Sequence, residues 1–324
     1  MLNTVCTALG AAGITCSSVD TQGVETRFMN HVANFNINYG TQEEYAFRME
    51  IFAAKDAEYN KINADPANTF VVGHNMFSTM TQDEAKRMMG RIPNKAELEE
   101  ETFDETAVQA TQVDWRAKGA VNPVQNQGQC GSCWAFSSTA AMEGAHFIKT
   151  GSLLKLAESQ LVDCDNTCNG CNGGLEAYAF QYAMSNPMEL ETSYPYVAKT
   201  RSCKSSKSKG VVRATSHASV KHNSVSALKS AIAAGPTCVA VDAANNYFQG
   251  YTGGVLNNCG NGSNLDHAIT AIGYGSENGV DYAIVRNSWT ASWGEAGYIR
   301  MALNAQGSQG VCGILLDPTT VKTA

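Results

Sequence analysis

A chain of 324 residues with a formal charge of -7 lacks the basic face that nucleic acid demands, and none of its apolar runs reaches the length of a membrane span. Apolar residues make up 44% and charged residues 16%, a balance that supports a packed core and argues against a disordered chain. The length suggests about two domains, and eleven cysteines point to an oxidising route such as secretion or a vacuole.

Residues 1–20 are small and mildly apolar, with no Lys or Arg ahead of Val5, Ala8 and Leu9. They read as a weak signal peptide cut near Cys16 or as a disordered start. A helix is expected over Thr26 to Asn38, with Phe28, Val32 and Phe35 on one face. A second begins at Thr41 with Glu44 in capping-box spacing and carries Tyr45, Met49, Phe52, Tyr59 and Ile62. Thr81 with Glu84 opens a third, which Gly90 closes. The acidic run from Glu97 to Thr106 reads as a solvated linker.

Next comes Gln127-Gly-Gln-Cys-Gly-Ser-Cys-Trp-Ala-Phe136, followed by a helical run through Ala140, Met142, Ala145, Phe147 and Ile148 that stops at Gly151. Cys133 falls in the first turn, where the backbone dipole favours a thiolate. Further helices are expected over Leu156–Val162 and from Gly174 onward. Beyond about residue 210 the pattern turns to strands at 211–213, 237–243, 268–274 and 281–286, interrupted by one helix from Val225 to Ala234. Helices first and antiparallel strands later read as α+β with two subdomains. By residues alone, Cys130 and Cys133 have the CxxC spacing of a thiol–disulfide oxidoreductase. Cys164, Cys168, Cys171 and Cys203 suggest either a zinc site or disulfides.

The Cys-Gly-Ser-Cys-Trp run, the histidine of Leu265-Asp266-His267-Ala268 and the asparagine of Asn287-Ser288-Trp289 together match the signature of papain-type peptidases. From about Phe28 to Val321 the chain resembles the cathepsin L-type cysteine peptidases, made as a proenzyme. The helical N-terminal part is similar to that family's inhibitory prosegment. Its E-R-F-N-I-N pattern appears at Glu44, Arg48, Phe52 and Asn63, with Lys55 and Tyr59 as departures; its G-x-N-x-F-x-D appears at Gly73, Asn75 and Phe77, with Thr79 replacing the acid.

The resemblance implies a prosegment over 21–108 and a papain-like peptidase over 109–324, with a helical left half, a barrel-like right half and a cleft between them. It implies Cys133 as nucleophile paired with His267 as thiolate and imidazolium, Asn287 orienting the ring, and Gln127 with the Cys133 N–H at the oxyanion. Trp289 would cover the Asn287–His267 contact. Gly173 and Gly174 would bind substrate backbone. The pocket for the side chain two residues before the scissile bond would be lined by Glu176, Ala240, Ala268 and Asp317. The two acids lead to the expectation that Arg is accepted there beside Leu or Phe.

Disulfides Cys130–Cys171, Cys164–Cys203 and Cys259–Cys312 follow from the resemblance; Cys238 is left as a buried thiol and Cys168 as a competitor for a bridge. No cofactor and no metal are implied. The expected partners are peptide and protein substrates, the chain's own prosegment and cystatin-type inhibitors, with the enzyme a monomer in a lysosome or food vacuole, or secreted. The run between Gly174 and Ser193 is too short for the occluding loop of exopeptidase relatives, which favours an endopeptidase. Acid is expected to release the prosegment by neutralising carboxylates that bind it. A catalytically silent homologue is the competing reading, against which the complete set of Cys133, His267, Asn287 and Gln127 stands. Asn261-Gly262-Ser263 is a glycosylation sequon.

Overall fold

A computed structural model describes residues 21–96, 98–103, 110–260, 262 and 264–324. The leader reading, the start of the mature chain near Gln109, and Asn261 and Ser263 of the sequon lie outside them.

Two helices, α1 (Thr21–Asn34) and α2 (Gln42–Ala64), form the N-terminal module. The first begins and ends about four residues earlier than its apolar spacing suggests. Thr41 caps α2 as expected, its hydroxyl accepting the Glu44 N–H. Val24, Phe28, Met49, Phe52 and Ala53 make a small core of their own. The short strand β1 (Phe70–Val72) and helix α3 (Gln82–Lys86) then carry the chain across the rest of the protein. Thr81 and Glu84 form the reciprocal capping box at α3.

Glu84 also explains how Thr79 is tolerated where the related pattern has an acid. Arg48 donates to the Thr79 carbonyl at 2.7 Å and is held by Glu84 at 2.7 Å and Glu44 at 2.6 Å. The hydrogen bonds from Arg48 hold the Glu84 carboxyl down at about 2. Lys55 donates to the Phe77 carbonyl, and burial lowers its pKa to about 8.

The module also buries a histidine, His31. His31, 4% exposed, packs against Phe35 and Phe52, and its buried Nε2 has no hydrogen-bond partner among the described residues. His74, on the loop after β1, faces it, and His74 is in turn held by Asp56 on α2, which Arg27 of α1 also pairs. Both Asp56 oxygens are engaged by Arg27 and one by His74 as well. Burial first, and His74 second, push the His31 pKa down to about 4. An unfolded histidine titrates near 6.5. The effect is therefore absent above that pH and grows as pH falls toward 4, because only the unfolded state takes up the proton. We expect His31→Leu to move the pH at which the zymogen matures downward by roughly half a unit or more. A pH profile of maturation that overlays the wild type would remove His31 from the release step.

Among the described residues, the peptidase part begins with β3 (Val113–Asp114) and is organised around α4 (Cys133–Thr150), which is buried from Cys133 to Gly144 and ends at Gly151 with φ 76°. Helices α5 (Glu158–Cys164) and α6 (Glu176–Ser185) pack beside it, with Trp134, Met142, Leu161, Phe180 and Met188 in the core between. The other half holds β4 (Ala214–Val220), α7 (Val225–Ala234), β5 (Thr237–Val241), α8 (Asn246–Gln249), β6 (Tyr251–Leu256), β7 (His267–Glu277), β8 (Val280–Arg286), β9 (Tyr298–Ala302) and β10 (Thr319–Thr323). Strand β4 lies just after the expected 211–213 segment. The sheet runs β1-β6-β9-β8-β7-β5-β10-β4-β2, with β3 beside β7. Most pairs are antiparallel; β6–β9 and β2–β4 are parallel.

Both ends of that order belong to the N-terminal module. β1 pairs with β6, and β2 (Glu100–Glu101) pairs with β4. The acidic run is thus not wholly a solvated linker: Glu101 accepts from Thr320 at 2.7 Å and meets Lys322 at 2.7 Å. Tyr59, Ile62, Phe70, Phe77 and Met88 join the core of Trp289, Trp293, Tyr251 and Phe248, so module and enzyme share one apolar interior.

Candidate active site

Cys133 is the first residue of α4 and fully buried. Backbone N–H groups of Ala268, Gly90 and Trp134 converge on its sulfur, Gly90 at 3.3 Å. His267 opens β7, and its Nε2 lies 2.9 Å from Asn287 Oδ1. That oxygen also accepts the Ser288 N–H at 2.8 Å, which fixes it as the acceptor end of the amide. Nε2 therefore carries the proton, and Nδ1, buried and without a partner among the described residues, is the basic nitrogen. Trp289 stacks on the imidazole with centroids 4.4 Å apart and the planes 22° from parallel.

Burial pushes the Cys133 thiol up to about 12 and the His267 imidazole down to about 4, the latter against the pull of Asn287. In this closed state burial disfavours the charged form of both groups.

The module seals the cleft with its own backbone. Gln127 Nε2 donates to the Met88 carbonyl at 2.6 Å and to the Cys130 carbonyl at 2.9 Å, while Ser288 Oγ holds its Oε1 at 2.6 Å. The Gly90 carbonyl accepts from Gly174 N–H at 2.8 Å, Ile92 N–H donates to the Gly174 carbonyl at 3.0 Å, and Arg91 N–H donates to the Asp266 carbonyl at 2.9 Å. Gly173 and Gly174 are the ledge beneath this segment. Only glycine fits at 90: a Cβ there would lie 1.8 Å from the Gly131 carbonyl oxygen.

Arg91 fills the acid-lined pocket. Its guanidinium pairs with Glu176 (3.4 Å) and with Asp317, and Asn94 donates to the other Asp317 oxygen at 2.9 Å. Glu176 and Asp317 are 3% and 7% exposed, so neither points to solvent. Burial raises the Glu176 pKa, with Arg91 acting against it. Ala240 and Ala268 face each other across β5 and β7 and are also buried.

The polarity of the segment follows from these contacts. On the pocket assignment that the resemblance implies, a substrate residue here would precede the scissile bond. In the module, Arg91 follows Gly90, and the group offered to the sulfur is an N–H rather than a carbonyl carbon. The segment therefore runs opposite to the direction expected of a substrate and meets the Cys133 sulfur with an N–H.

Disulfides join Cys130 to Cys171, Cys164 to Cys203 and Cys259 to Cys312; Cys133, Cys168 and Cys238 are free and buried. Cys130 is therefore unavailable to Cys133 for CxxC exchange. Three of the four sulfurs of the zinc reading sit in bridges. Arg91 is the site residue that sequence reading missed. Its signal was an arginine just after Gly90, with two buried-position acids elsewhere to receive it.

A buried Cys133 whose sulfur takes the Ala268 N–H next to His267, the His267–Asn287 pair, the Gln127 amide and an N-terminal module seated across them are the parts of a thiol peptidase held as a zymogen. Comparison with known proteins agrees. Residues 109–321 match the papain family cysteine protease model and residues 28–85 the cathepsin propeptide inhibitor domain. Digestive cysteine proteinase 2 of Homarus americanus is 42% identical, covering 88% of this chain and 93% of that one. The recombinant stem bromelain precursor superposes with a TM-score of 0.85 at 37% identity, over 93% of this chain and 99% of that one. Digestive procathepsin L 3 of Tenebrio molitor larval midgut gives 0.83 at 32% identity, over 92% and 99%. The chain belongs to the papain family of cysteine proteases, and it is an autoinhibited cysteine endopeptidase zymogen.

Proposed function

We propose that Cys133 is the nucleophile, His267 its base and acid, Asn287 the group that orients the ring, and Gln127 the side-chain donor to the oxyanion. The contact that carries this reading is His267 Nε2 to Asn287 Oδ1, with Cys133 at the start of α4 and module backbone laid between nucleophile and cleft. Once the module leaves, water enters and the burial that disfavours both charged forms is lifted. The helix dipole and the imidazole then favour the thiolate–imidazolium pair. The thiolate attacks the scissile carbonyl. The oxyanion takes hydrogen bonds from Gln127 Nε2, freed of Met88, and from the Cys133 N–H. His267 gives its proton to the leaving amine, and then takes one from the water that hydrolyses the thioester.

The pocket of Glu176, Asp317, Ala240 and Ala268 is read as accepting Arg as well as Leu or Phe two residues before the scissile bond. Support comes from Arg91, which already sits there between the acids. We place the prosegment at 21–108 and the mature enzyme at 109–324, a division supported by the family match beginning at residue 109. No helix among the described residues is long and apolar enough to cross a membrane. A lysosome or food vacuole, or secretion, suits the digestive relatives and the three disulfides. The same reading expects a monomer open to cystatin-type inhibitors.

The test is acid incubation of the full chain with a Phe-Arg fluorogenic peptide. Activity is expected to appear as the mass falls by roughly 12 kDa (about 108 residues at ~110 Da each). Cys133 should resist iodoacetamide before that fall and react after it, with activity lost in step with its labelling. Full activity after Cys133 is alkylated would sink the assignment.

A further inference from the structure

We propose that the outer edge of β4, which β2 covers in the zymogen, is a second peptide-binding site of the mature enzyme. It takes an extended segment of a protein substrate that carries an acid two places after an aromatic residue.

The occupant is argued from the one already seated there. β2 lies parallel to β4, with Glu100 opposite Ser219 and Glu101 opposite Val220, and Ser219 N–H donates to the Glu99 carbonyl at 3.0 Å. The Glu101 carboxylate takes the Thr320 hydroxyl on one oxygen and the Lys322 ammonium on the other. Two residues on, Phe103 packs against Val220, Ala227 and Ala231. Beside it opens a cavity of about 390 Å³ whose apolar walls include Ala145, Ile148, Pro236 and Val321. Main-chain pairing, one acid seat and one aromatic seat are the parts of a strand-addition site, with affinity from the backbone and selectivity from alternate side chains.

When the prosegment leaves, β4 becomes the end of the sheet, with its pairing groups, Lys322 and the apolar seat all uncovered. The site is also continuous with the cleft. Asp317 of the acid-lined pocket is followed by Pro318, whose carbonyl accepts the Val220 N–H at 2.9 Å, and then by β10. Substrate residues upstream of the scissile bond are therefore the ones that reach this edge. Since a substrate runs opposite to the prosegment, it would meet β4 antiparallel.

The inference rests on the peptidase reading, so the experiment separates the two. The full chain is matured in acid and its activity on a Phe-Arg peptide is recorded; that step alone decides the peptidase reading. Cys133 is then alkylated and a fluorescent peptide carrying Phe-Thr-Glu, the seat residues in the order a substrate would present them, is titrated onto the enzyme. Saturable binding is expected, about fivefold weaker in Lys322→Glu and about tenfold or more weaker when the peptide's phenylalanine is replaced by serine. With unalkylated enzyme, kcat/KM for a protein substrate bearing this segment upstream of its cleavage site should fall in Lys322→Glu while turnover of the short peptide is unchanged. Three results each overturn the proposal: no saturable binding, binding equal for wild type and Lys322→Glu, or binding without any effect on the protein substrate. The last would leave the edge as a latch for the prosegment alone.

Discussion

Replacing Glu176 by Leu and Asp317 by Ser together is expected to lower kcat/KM by about 100-fold or more for peptides with Arg two residues before the scissile bond. Peptides with Phe or Leu there should change only a few-fold, because Ala240 and Ala268 keep the space for a bulky apolar group. The reason is desolvation. In the zymogen the Arg91 side chain is 2% exposed between the two acids, and a substrate arginine in the same place would give up its water in the same way. With the acids gone, the cation is buried and unpaired, which costs far more than a surface pair contributes. The preference should also follow pH. Burial holds the Glu176 pKa above the ordinary carboxylate range, so the group gains charge only as pH rises through that elevated value. The ratio of Arg to Phe cleavage in the wild type should therefore rise from acid toward neutral pH and lose that slope in the double variant. An Arg-to-Phe ratio that is the same in both enzymes would show that selection lies elsewhere.

Gln127→Ala should reduce kcat by about 10²–10³-fold with little change in KM. The side-chain amide is positioned before any substrate arrives, fixed by Ser288 on its oxygen and by the Cys130 carbonyl on its nitrogen, while the Met88 carbonyl takes its N–H only in the zymogen. Because the same N–H binds the prosegment, the variant should also bind an added prosegment about fivefold more weakly, the loss of one hydrogen bond of roughly 1 kcal/mol. Steady-state kinetics and inhibition by the separate prosegment read the two effects. A fall carried by KM with kcat intact would make Gln127 a structural residue and not a donor to the oxyanion.

Much of the fold is legible where chemistry is local. Thr41 with Glu44, Thr81 with Glu84, and Gly151 announce helix ends by capping and by positive φ, and α2, α3 and α4 stop or start where those residues say. The set of Cys133, His267, Asn287 and Gln127 is legible because a spaced signature fixes it. What escapes is contact between distant segments. Arg91 meets Asp317 across 226 residues, and no periodicity carries that information. A run of glutamates reads as solvated, yet Glu101 is paired by Lys322 and Thr320 from β10, so the strand is made by its partner and not by propensity. The loss of an acid at Thr79 looks damaging in one dimension and is made good by Glu84 in three. Nothing in the sequence singles out His31; its buried nitrogen, without a partner among the described residues, is visible only once Phe35, Phe52 and His74 are set around it.

The lodging of Arg91 between Glu176 and Asp317 ties two traits of the gene product together. A germline change that neutralises either acid to broaden the diet of the enzyme also loosens the plug that keeps it silent on its way through the cell. On the proposed pocket reading, a change at position 91 that weakens the plug would leave the two acids, and the acceptance of arginine they supply, untouched. Drift in selectivity is therefore expected to be paired with a matching change at position 91.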